Sequence, residues 1–333
     1  MSELRQNLAT KDWVIIASER AKRPNYYAET DKKTLTEDRA EHDPKCPFCL
    51  GNEELDLEIE RLPAGEAQWQ TRVVRNKYPA LQAEGWPERS SVGTQHYITG
   101  VGHHEVVVEH PQHNKTLALM SPNEVYQALA TYQRRGRKIA EDPRMEQIII
   151  FKNHGDRAGA SLTHSHSQII GLPVVPGNIR HRIEEAQRYF DDMGECVFCT
   201  MVNDELMRKE RLVFTNEHFV VFVLYAALSP FHMWIVPRKH RSSFLDVPPA
   251  ELASLGEALQ YTLKRIYFGL NDPDYNLIIR STPVKETGQT YLHWYISIVL
   301  RLSRMAGFEL GSGVYINPAI SEESAAFLRD LKI

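Results

Sequence analysis

The sequence predicts an α+β fold in which two similar units follow one another, each with an antiparallel sheet and flanking helices. Three observations support this prediction. A CxxC pair occurs twice, first at Cys46 and Cys49 and again at Cys196 and Cys199. The same order of features follows each pair: an apolar β-like run, a histidine, a helix, a strand, and a second strand that carries another histidine. The two histidines are 51 residues apart after the first pair and 53 after the second, and such self-similarity indicates an internal repeat.

The first unit is predicted to span residues 1–178 and the second residues 179–333, with the boundary in the charged, helix-like stretch 177–192. In the first unit the apolar run is 103–109, and the two strands are 147–152 and the segment that holds His164. In the second unit the apolar run is 231–236, and the two strands are 275–280 and the segment that holds His293.

Two helices have support of their own. Ser121, Pro122 and Glu124 form the pattern of an N-cap, a proline in the first turn and a capping-box glutamate. Val125, Leu129 and Tyr132 then follow at helical spacing. The second helix is predicted over residues 246–270 and is expected to stop near 271–273. Its apolar face consists of Leu252, Leu255, Leu259, Leu263 and Ile266.

Composition is that of an ordinary globular protein. The 333 residues are 42% apolar and 25% charged, with a net charge of −4. No broad basic surface is expected, so neither nucleic acid nor an anionic membrane is expected as a partner. The N-terminal sequence lacks the features of a secretory signal or transit peptide, and a cytoplasmic location is expected. The apolar stretch 219–236 is interrupted by Ser229, Pro230 and His232, so it is predicted to form two buried strands joined by a turn.

Each CxxC pair is predicted to share a metal ion with two histidines. Two thiolates and two imidazoles are ligands that Zn²⁺ prefers, and four protein ligands leave no open position, which is typical of a structural site. The alternatives are a redox-active CxxC, or histidines that are ordinary core or surface residues. The first predicted zinc site is Cys46, Cys49, His113 and His164, and the second is Cys196, Cys199, His240 and His293.

The segment 155–168 is a glycine-containing loop that leads into a polar strand. Alternate residues of a strand share a face, which predicts that His164, His166 and Gln168 lie together. If His164 binds zinc, His166 is held beside it with a free ring nitrogen. A neutral imidazole in that position can attack the α-phosphorus of a nucleoside diphosphate derivative and form a covalent phosphoramidate.

Gln168 is then expected to donate its amide to a non-bridging phosphoryl oxygen. Asn153, Ser161 and the backbone N–H groups of the loop are expected to hold the other phosphate. The alternative for the HxHxQ string is a set of metal ligands or a polar patch on a surface strand.

With these residues in place, the chain resembles the galactose-1-phosphate uridylyltransferase family of the histidine-triad superfamily over nearly its whole length. The two units are therefore expected to be histidine-triad-like. The matching segments are 12–14 (DWV), 20–24 (RAKRP), 46–49 (CPFC), 76–81 (NKYPAL), His113, Asn153, Ser161, 164–168 (HSHSQ) and 307–313 (GFELGSG).

The resemblance implies ping-pong transfer of a nucleoside monophosphate through His166, from an NDP-sugar to a sugar 1-phosphate or inorganic phosphate. It implies that Arg20 and Arg23 bind substrate, with phosphate contacts from Arg23, Ser161 and Gln168. It also implies nucleoside contacts near Asn76, a structural zinc at the first site, and a homodimer with active sites at the interface.

Two departures bear on the substrate. The usual family core is HPHGQ, whereas this chain has HSHSQ, and its second half carries a complete Cys2His2 set. Both features look more like the ADP-glucose phosphorylase branch, which moves AMP from ADP-glucose to inorganic phosphate. The choice between a uridine and an adenine nucleotide in the donor is therefore left open. So is the choice between hexose 1-phosphate and inorganic phosphate as the acceptor.

Two other functions compete with a transferase. Histidine-triad hydrolases have the pattern HxHxH at this strand, and this chain has Gln168 in place of the third histidine. Because Gln168 cannot titrate, a covalent intermediate is expected to persist until a phosphate acceptor arrives. The other alternative is a non-catalytic, zinc-stapled nucleotide-binding protein. Where the first unit has His166 the second has Tyr295, so one nucleophile per chain is predicted. The second unit is expected to serve as scaffold and dimer contact, with sugar binding as a further option.

Overall fold

The computed structural model describes residues 2–22, 34–66, 68–303 and 305–333. These residues form 15 β-strands and six α-helices, together with short 3₁₀ turns. The strands are β1 (Glu3–Gln6), β2 (Trp13–Ile16), β3 (Glu58–Leu62), β4 (Thr71–Arg75), β5 (Arg89–Val92), β6 (Gln95–Ile98), β7 (His103–Val108), β8 (Gln147–His154), β9 (His166–Leu172), β10 (Leu212–Thr215), β11 (Phe219–Val223), β12 (Met233–Pro237), β13 (Tyr275–Arg280), β14 (Tyr295–Leu300) and β15 (Tyr315–Asn317). The helices are α1 (Pro122–Ala140), α2 (Gly177–Met193), α3 (Val197–Arg208), α4 (Pro249–Leu270), α5 (Gly307–Ser312) and α6 (Ser321–Asp330).

Ten strands form one antiparallel sheet in the order β10-β11-β12-β14-β13-β8-β9-β7-β4-β3. The five strands of the second half repeat the order of the five of the first half, reversed across the centre of the sheet. The halves meet where β13 pairs antiparallel with β8, with Asn276 opposite Asn153. The α+β class and the tandem repeat are thus confirmed, and the two units share a single sheet. The domain boundary at 178/179 lies at the start of α2 and stays a prediction.

Helices α1 and α4 are equivalent elements of the two repeats and pack against each other. The predicted capping box of α1 is present, since Ser121 accepts from the Glu124 N–H and Glu124 accepts from the Ser121 N–H. The predicted apolar faces of α1 and α4 are buried. The predicted start of α4 at residue 246 is wrong by three residues, because Pro248 disfavours helical backbone at Val247.

The apolar stretch 219–236 forms two buried strands, β11 and β12, as predicted. Among the described helices, none combines the length and apolar character that crossing a membrane would require.

His164 and His293 lie just before their strands rather than inside them, which corrects the prediction. Strand β9 begins at His166 and β14 begins at Tyr295. Because ladder pairing of β9 with β7 starts at the pair His166–Val108, the backbone at His164 is free to turn toward the cysteines.

The two ends of the described chain meet in a second, three-stranded sheet that the sequence patterns did not predict. Strand β2 pairs antiparallel with β1 and parallel with β15. Val14 and Ile16 of β2 pack with Ala226 in a small core of their own. A further hairpin, β5–β6, lies at the surface.

Candidate active site and metal centres

The first CxxC turn lies against the segment that enters β9. The ligand atoms of Cys46, Cys49, His113 and His164 all lie within 4.8 Å of one another, and all four residues are buried. Cys49 Sγ is 3.5 Å from Nδ1 of both His113 and His164, and Cys46 Sγ is 3.6 Å from His164 Nδ1. The structure therefore brings together the four residues predicted for the first metal site.

Contacts outside the cluster orient both imidazoles. His164 Nε2 donates to the carbonyl of His110 at 2.7 Å, which places the ring proton on Nε2 and leaves the Nδ1 lone pair facing the thiols. His113 Nε2 lies 3.0 Å from Thr163 Oγ1. Burial lowers the pKa of His164 to about 4, so this ring is neutral, as a metal ligand must be. Metal-binding histidines characteristically have such outer partners, and the cluster fits Zn²⁺.

The second cluster repeats this arrangement. The ligand atoms of Cys196, Cys199, His240 and His293 also lie within 4.8 Å of one another. Cys199 Sγ is 3.4 Å from His240 Nδ1 and 3.6 Å from His293 Nδ1. His240 Nε2 lies 3.2 Å from the carbonyl of Gln289. The donor set and its convergence fit Zn²⁺ as well as the first cluster does.

His166 is buried at the start of β9, beside the first cluster. Its Nδ1 donates to the carbonyl of His164 at 2.8 Å, and its ring lies against Phe48 of the CPFC turn, with the centroids 5.4 Å apart. Because a carbonyl can only accept, the ring proton is on Nδ1 and Nε2 keeps its lone pair. Burial, and then the charge of Lys152, lowers the pKa of His166. The imidazole is thus neutral, oriented and outside the metal cluster.

Gln168, on the same face of β9, is oriented by His104 of β7. The Ala80 N–H donates to His104 Nδ1 at 3.1 Å, so the ring proton of His104 is on Nε2. His104 Nε2 donates to Gln168 Oε1 at 2.7 Å, which leaves the amide NH₂ of Gln168 able to donate to a ligand. Asn76 Nδ2 lies 3.0 Å from His104 Nε2, a contact between two donors rather than a hydrogen bond. The structure therefore places Asn76 and Gln168 beside a residue that the sequence analysis did not single out.

The available signal for His104 was two adjacent histidines in an otherwise apolar strand. On a strand one of two neighbours must face the site if the other faces away. His103 faces away from the site, and its Nε2 lies 2.8 Å from Asp142 Oδ2.

Several backbone N–H groups of the predicted phosphate-binding loop already donate hydrogen bonds within the protein. The N–H groups of residues 158, 159 and 160 donate to carbonyls of the loop, and the Arg157 N–H donates to the carboxylate of Asp274. Gly155 has φ +83°, and a Cβ there would lie 2.1 Å from the Asp274 carboxylate. The prediction that this loop cradles a phosphate with its backbone is wrong for these four N–H groups.

The side chains predicted to bind phosphate differ in their exposure and in their hydrogen bonds. Asn153 Oδ1 accepts from Asn276 of the second repeat at 2.8 Å, while Ser161 is exposed. Arg20 lies in the 3₁₀ turn Ser18–Lys22, and its Nε has no hydrogen-bond partner in the described part of the chain. Arg23 lies outside the described residues.

A buried ion pair supports β9 from its other face. Glu109 and Lys152 are nearly inaccessible to solvent and lie 2.7 Å apart. Ser165 and Ser167 each donate to Glu109 at 2.5 Å, and Tyr132 of α1 donates to it as well. Lys152 also donates to the carbonyl of His166 at 3.0 Å. Burial alone would raise the pKa of Glu109, but Lys152 and the hydroxyl donors outweigh it and lower that pKa.

This network accounts for the two serines of HSHSQ. The proline and glycine of the HPHGQ pattern have no hydroxyl to donate to a carboxylate, whereas Ser165 and Ser167 are two of the donors of Glu109. The departure is therefore coupled to a buried charge on the opposite face of the strand.

Two family models match the chain. The N-terminal domain of galactose-1-phosphate uridyl transferase matches residues 1–176, and its C-terminal domain matches residues 182–326. The chain is 38% identical to an ADP-glucose phosphorylase of Arabidopsis thaliana, over 99% of this chain and 93% of that protein. It is 27% identical to a galactose-1-phosphate uridylyltransferase of Thermotoga maritima, over 100% of this chain and 99% of that protein.

Solved structures agree with these relatives. The fold is similar to that of ADP-glucose phosphorylase from Arabidopsis thaliana with bound ADP-glucose, with a TM-score of 0.85, 35% identity, and coverage of 100% of this chain and 99% of that chain. A uridylyltransferase structure has a TM-score of 0.76 at 26% identity and covers 99% of this chain and 97% of its own. Because the two domain matches together span nearly all of it, the chain belongs to the galactose-1-phosphate uridyl transferase family.

Proposed function

We propose that this protein is a nucleotidyltransferase that moves a nucleoside monophosphate from an NDP-hexose to a phosphate-bearing acceptor through a covalent His166 intermediate. The observation that carries the proposal is the state of the His166 ring, whose Nδ1 is held by the His164 carbonyl while Nε2 keeps its lone pair. Membership of a transferase family supports the reaction class.

In the first half-reaction, Nε2 attacks the α-phosphorus of the NDP-hexose. An N–P bond forms, the bond from that phosphorus to the bridging oxygen breaks, and hexose 1-phosphate leaves. The nucleotidylated ring gains positive charge, which the carbonyl facing Nδ1–H stabilises. In the second half-reaction an acceptor phosphate oxygen attacks the same phosphorus, and the N–P bond breaks. Gln168 donates its amide to a non-bridging oxygen, because its own oxygen is held by His104.

We further propose ADP-glucose as the donor and inorganic phosphate as the acceptor. The greater identity to ADP-glucose phosphorylase than to the uridylyltransferase, 38% against 27%, supports this choice. The homodimer and the cytoplasmic location stay predictions.

A substrate panel tests the proposed function. ADP-glucose and UDP-glucose are each incubated with inorganic phosphate and with galactose 1-phosphate, and products are separated by ion-exchange chromatography. We expect ADP and glucose 1-phosphate from ADP-glucose and inorganic phosphate, at the highest rate of the four. Fastest turnover of UDP-glucose with galactose 1-phosphate would replace the substrate assignment. Steady release of free nucleotide without an acceptor would identify a hydrolase and overturn the transferase proposal.

His104 is expected to act by positioning Gln168. His104→Phe keeps an aromatic ring but removes the donor to Gln168, so kcat/KM should fall roughly 10- to 100-fold, with most of the loss in kcat. The matched control is His103→Phe on the opposite face of β7, which should keep its rates within about twofold. Steady-state kinetics of the two variants decide the point, and equal rates for both would remove His104 from the mechanism.

We also propose that both Cys2His2 clusters hold Zn²⁺ as structural ions. When bound, such an ion joins strands and turns that are distant in sequence and supplies folding free energy. Elemental analysis is expected to give about two zinc ions per chain, one for each four-ligand cluster. Cys46→Ala and Cys199→Ala should each lose one ion, while His96→Ala in the exposed β5–β6 hairpin should keep both. A different metal, or a cysteine variant that retains both ions, would contradict the assignment.

A further inference from the structure

The second repeat has a pocket at the position that corresponds to the His166 site. Tyr295 begins β14 as His166 begins β9. Gln168, two residues along β9, pairs with Phe151, and its counterpart Ser297 pairs with Ile278. Two residues further along these strands, Arg280 of β13 therefore takes the place that Asn153 has in β8. Even His104 has a counterpart, because His232 Nε2 lies 2.9 Å from Ser297 Oγ.

Where the first repeat has His166 and Asn153, this pocket has Tyr295 and Arg280, and Arg182 of α2 adds a second cation. Arg182 of α2 donates from Nη1 to the Tyr295 hydroxyl at 2.9 Å, and Arg280 lines the same pocket. Neither arginine has an ion-pair partner among the residues that the structure describes. The Arg280 Nε is buried and makes no hydrogen bond. An unpaired, buried guanidinium N–H is costly unless a ligand completes it.

The charge balance of the pocket favours an anion. Its lining contains Arg182 and Arg280 but no aspartate or glutamate. Burial, and then Arg182, lowers the pKa of Arg280, as expected for two cations close together. Burial followed by the same two arginines lowers the pKa of His232 to about 3, which leaves that histidine neutral. Two guanidinium groups match a dianionic oxyanion better than a carboxylate, since arginine binds phosphate oxygens through several N–H groups at once.

The size of the cavity restricts the ligand. Its volume is about 60 Å³, which suits a small oxyanion rather than a whole nucleotide. A phenol at position 295 cannot form the phosphoramidate that His166 can, so binding is non-covalent. Three strand spacings and about four residues along the strands place Tyr295 roughly 20 Å from His166, too far to share one phosphate.

We propose that Arg182 and Arg280, beside Tyr295, form a phosphate-binding site in the second repeat, separate from the transferase site. The ligand is inorganic phosphate, or the phosphate group of a sugar phosphate or nucleotide whose remainder projects from the pocket. This proposal does not depend on the identity of the transferase substrates.

Isothermal titration with inorganic phosphate tests the site. Wild-type protein is compared with Arg280→Met, which keeps the length of the side chain without its charge, and with Arg280→Lys, which keeps the charge. The matched control is Arg180→Met, an exposed arginine on the same helix as Arg182. We expect Arg280→Met to lose one binding event or weaken it at least about tenfold. Arg280→Lys should bind with intermediate affinity and Arg180→Met like the wild type.

Localisation and competition complete the test. Crystals soaked in tungstate, a heavy tetrahedral oxyanion, should show density between Arg182 and Arg280. Glucose 1-phosphate and AMP are titrated separately, and whichever is displaced by inorganic phosphate in wild type but not in Arg280→Met shares the site. Phosphate binding that is the same in wild type and Arg280→Met, with no tungstate at this position, would overturn the proposal. The arginines would then only pack against Tyr295.

Discussion

Replacement of His166 by alanine is expected to lower kcat by roughly 10⁴-fold or more, because the atom proposed to form the covalent bond is removed. The fold and both metal contents should be unchanged, since His166 belongs to neither Cys2His2 cluster. Wild-type protein incubated with ADP-glucose alone should gain the mass of one nucleotidyl group, and the variant should not. Intact-protein mass spectrometry measures the adduct, and peptide mapping assigns it.

The matched control is Tyr295→Phe, which alters the equivalent position of the second repeat. It should form the adduct on His166 as the wild type does. An adduct on another residue, or a His166→Ala variant with activity within about tenfold of the wild type, would show that the nucleophile has been misassigned. Wild-type protein that binds nucleotide but neither turns it over nor gains the adduct would support the non-catalytic alternative.

Replacement of Lys152 by methionine is expected to have the largest effect on stability. Methionine removes the cation from a fully buried pair and leaves the Glu109 carboxylate with only the hydroxyl donors of Ser165, Ser167 and Tyr132. Breaking a buried ion pair from one side costs about 3–5 kcal/mol of unfolding free energy. Chemical unfolding in the presence of zinc, followed by circular dichroism, measures the change. Activity should fall as well, because Lys152 also holds the His166 carbonyl.

The double variant Lys152→Met/Glu109→Gln separates the pair from the packing around it. Without a buried charge, it should recover most of the stability that the single variant loses. The surface pair Lys138–Glu141 provides the control, and Lys138→Met should change stability by less than about 1 kcal/mol. A Lys152→Met variant as stable as the control would contradict a stabilising role for the buried Glu109–Lys152 pair.

Several elements could be predicted because their signals are local. The capping box at Ser121 and the apolar spacing of α1 and α4 depend on residues within a few positions of one another. The cysteine and histidine sets could be paired because the repeat shows the same spacing twice. His166 could be singled out because it lies two residues from a candidate ligand and has a tyrosine as its counterpart.

The contacts of the candidate site residues could not be predicted in the same way. His104 reaches Gln168 only because β7 and β9 pair in a particular register, and its ring proton is placed by Ala80, 24 residues away. Glu109 gave no sequence signal as the partner of Ser165 and Ser167. The loop at 155–160 was predicted to bind phosphate with its backbone, yet Asp274 of the second repeat takes one of its N–H groups.

Taken alone, the sequence determined the class of fold and the tandem repeat, because periodicity and capping are properties of neighbouring residues. From motif spacing it also predicted the two Cys2His2 sets and a nucleophile at position 166. Only the tertiary structure decided that both repeats share one sheet through β8 and β13, that β15 pairs with β2, and that Arg182 and Arg280 line one pocket. Those contacts join residues far apart in the chain, and they depend on strand register and the burial of charge, which no local pattern encodes.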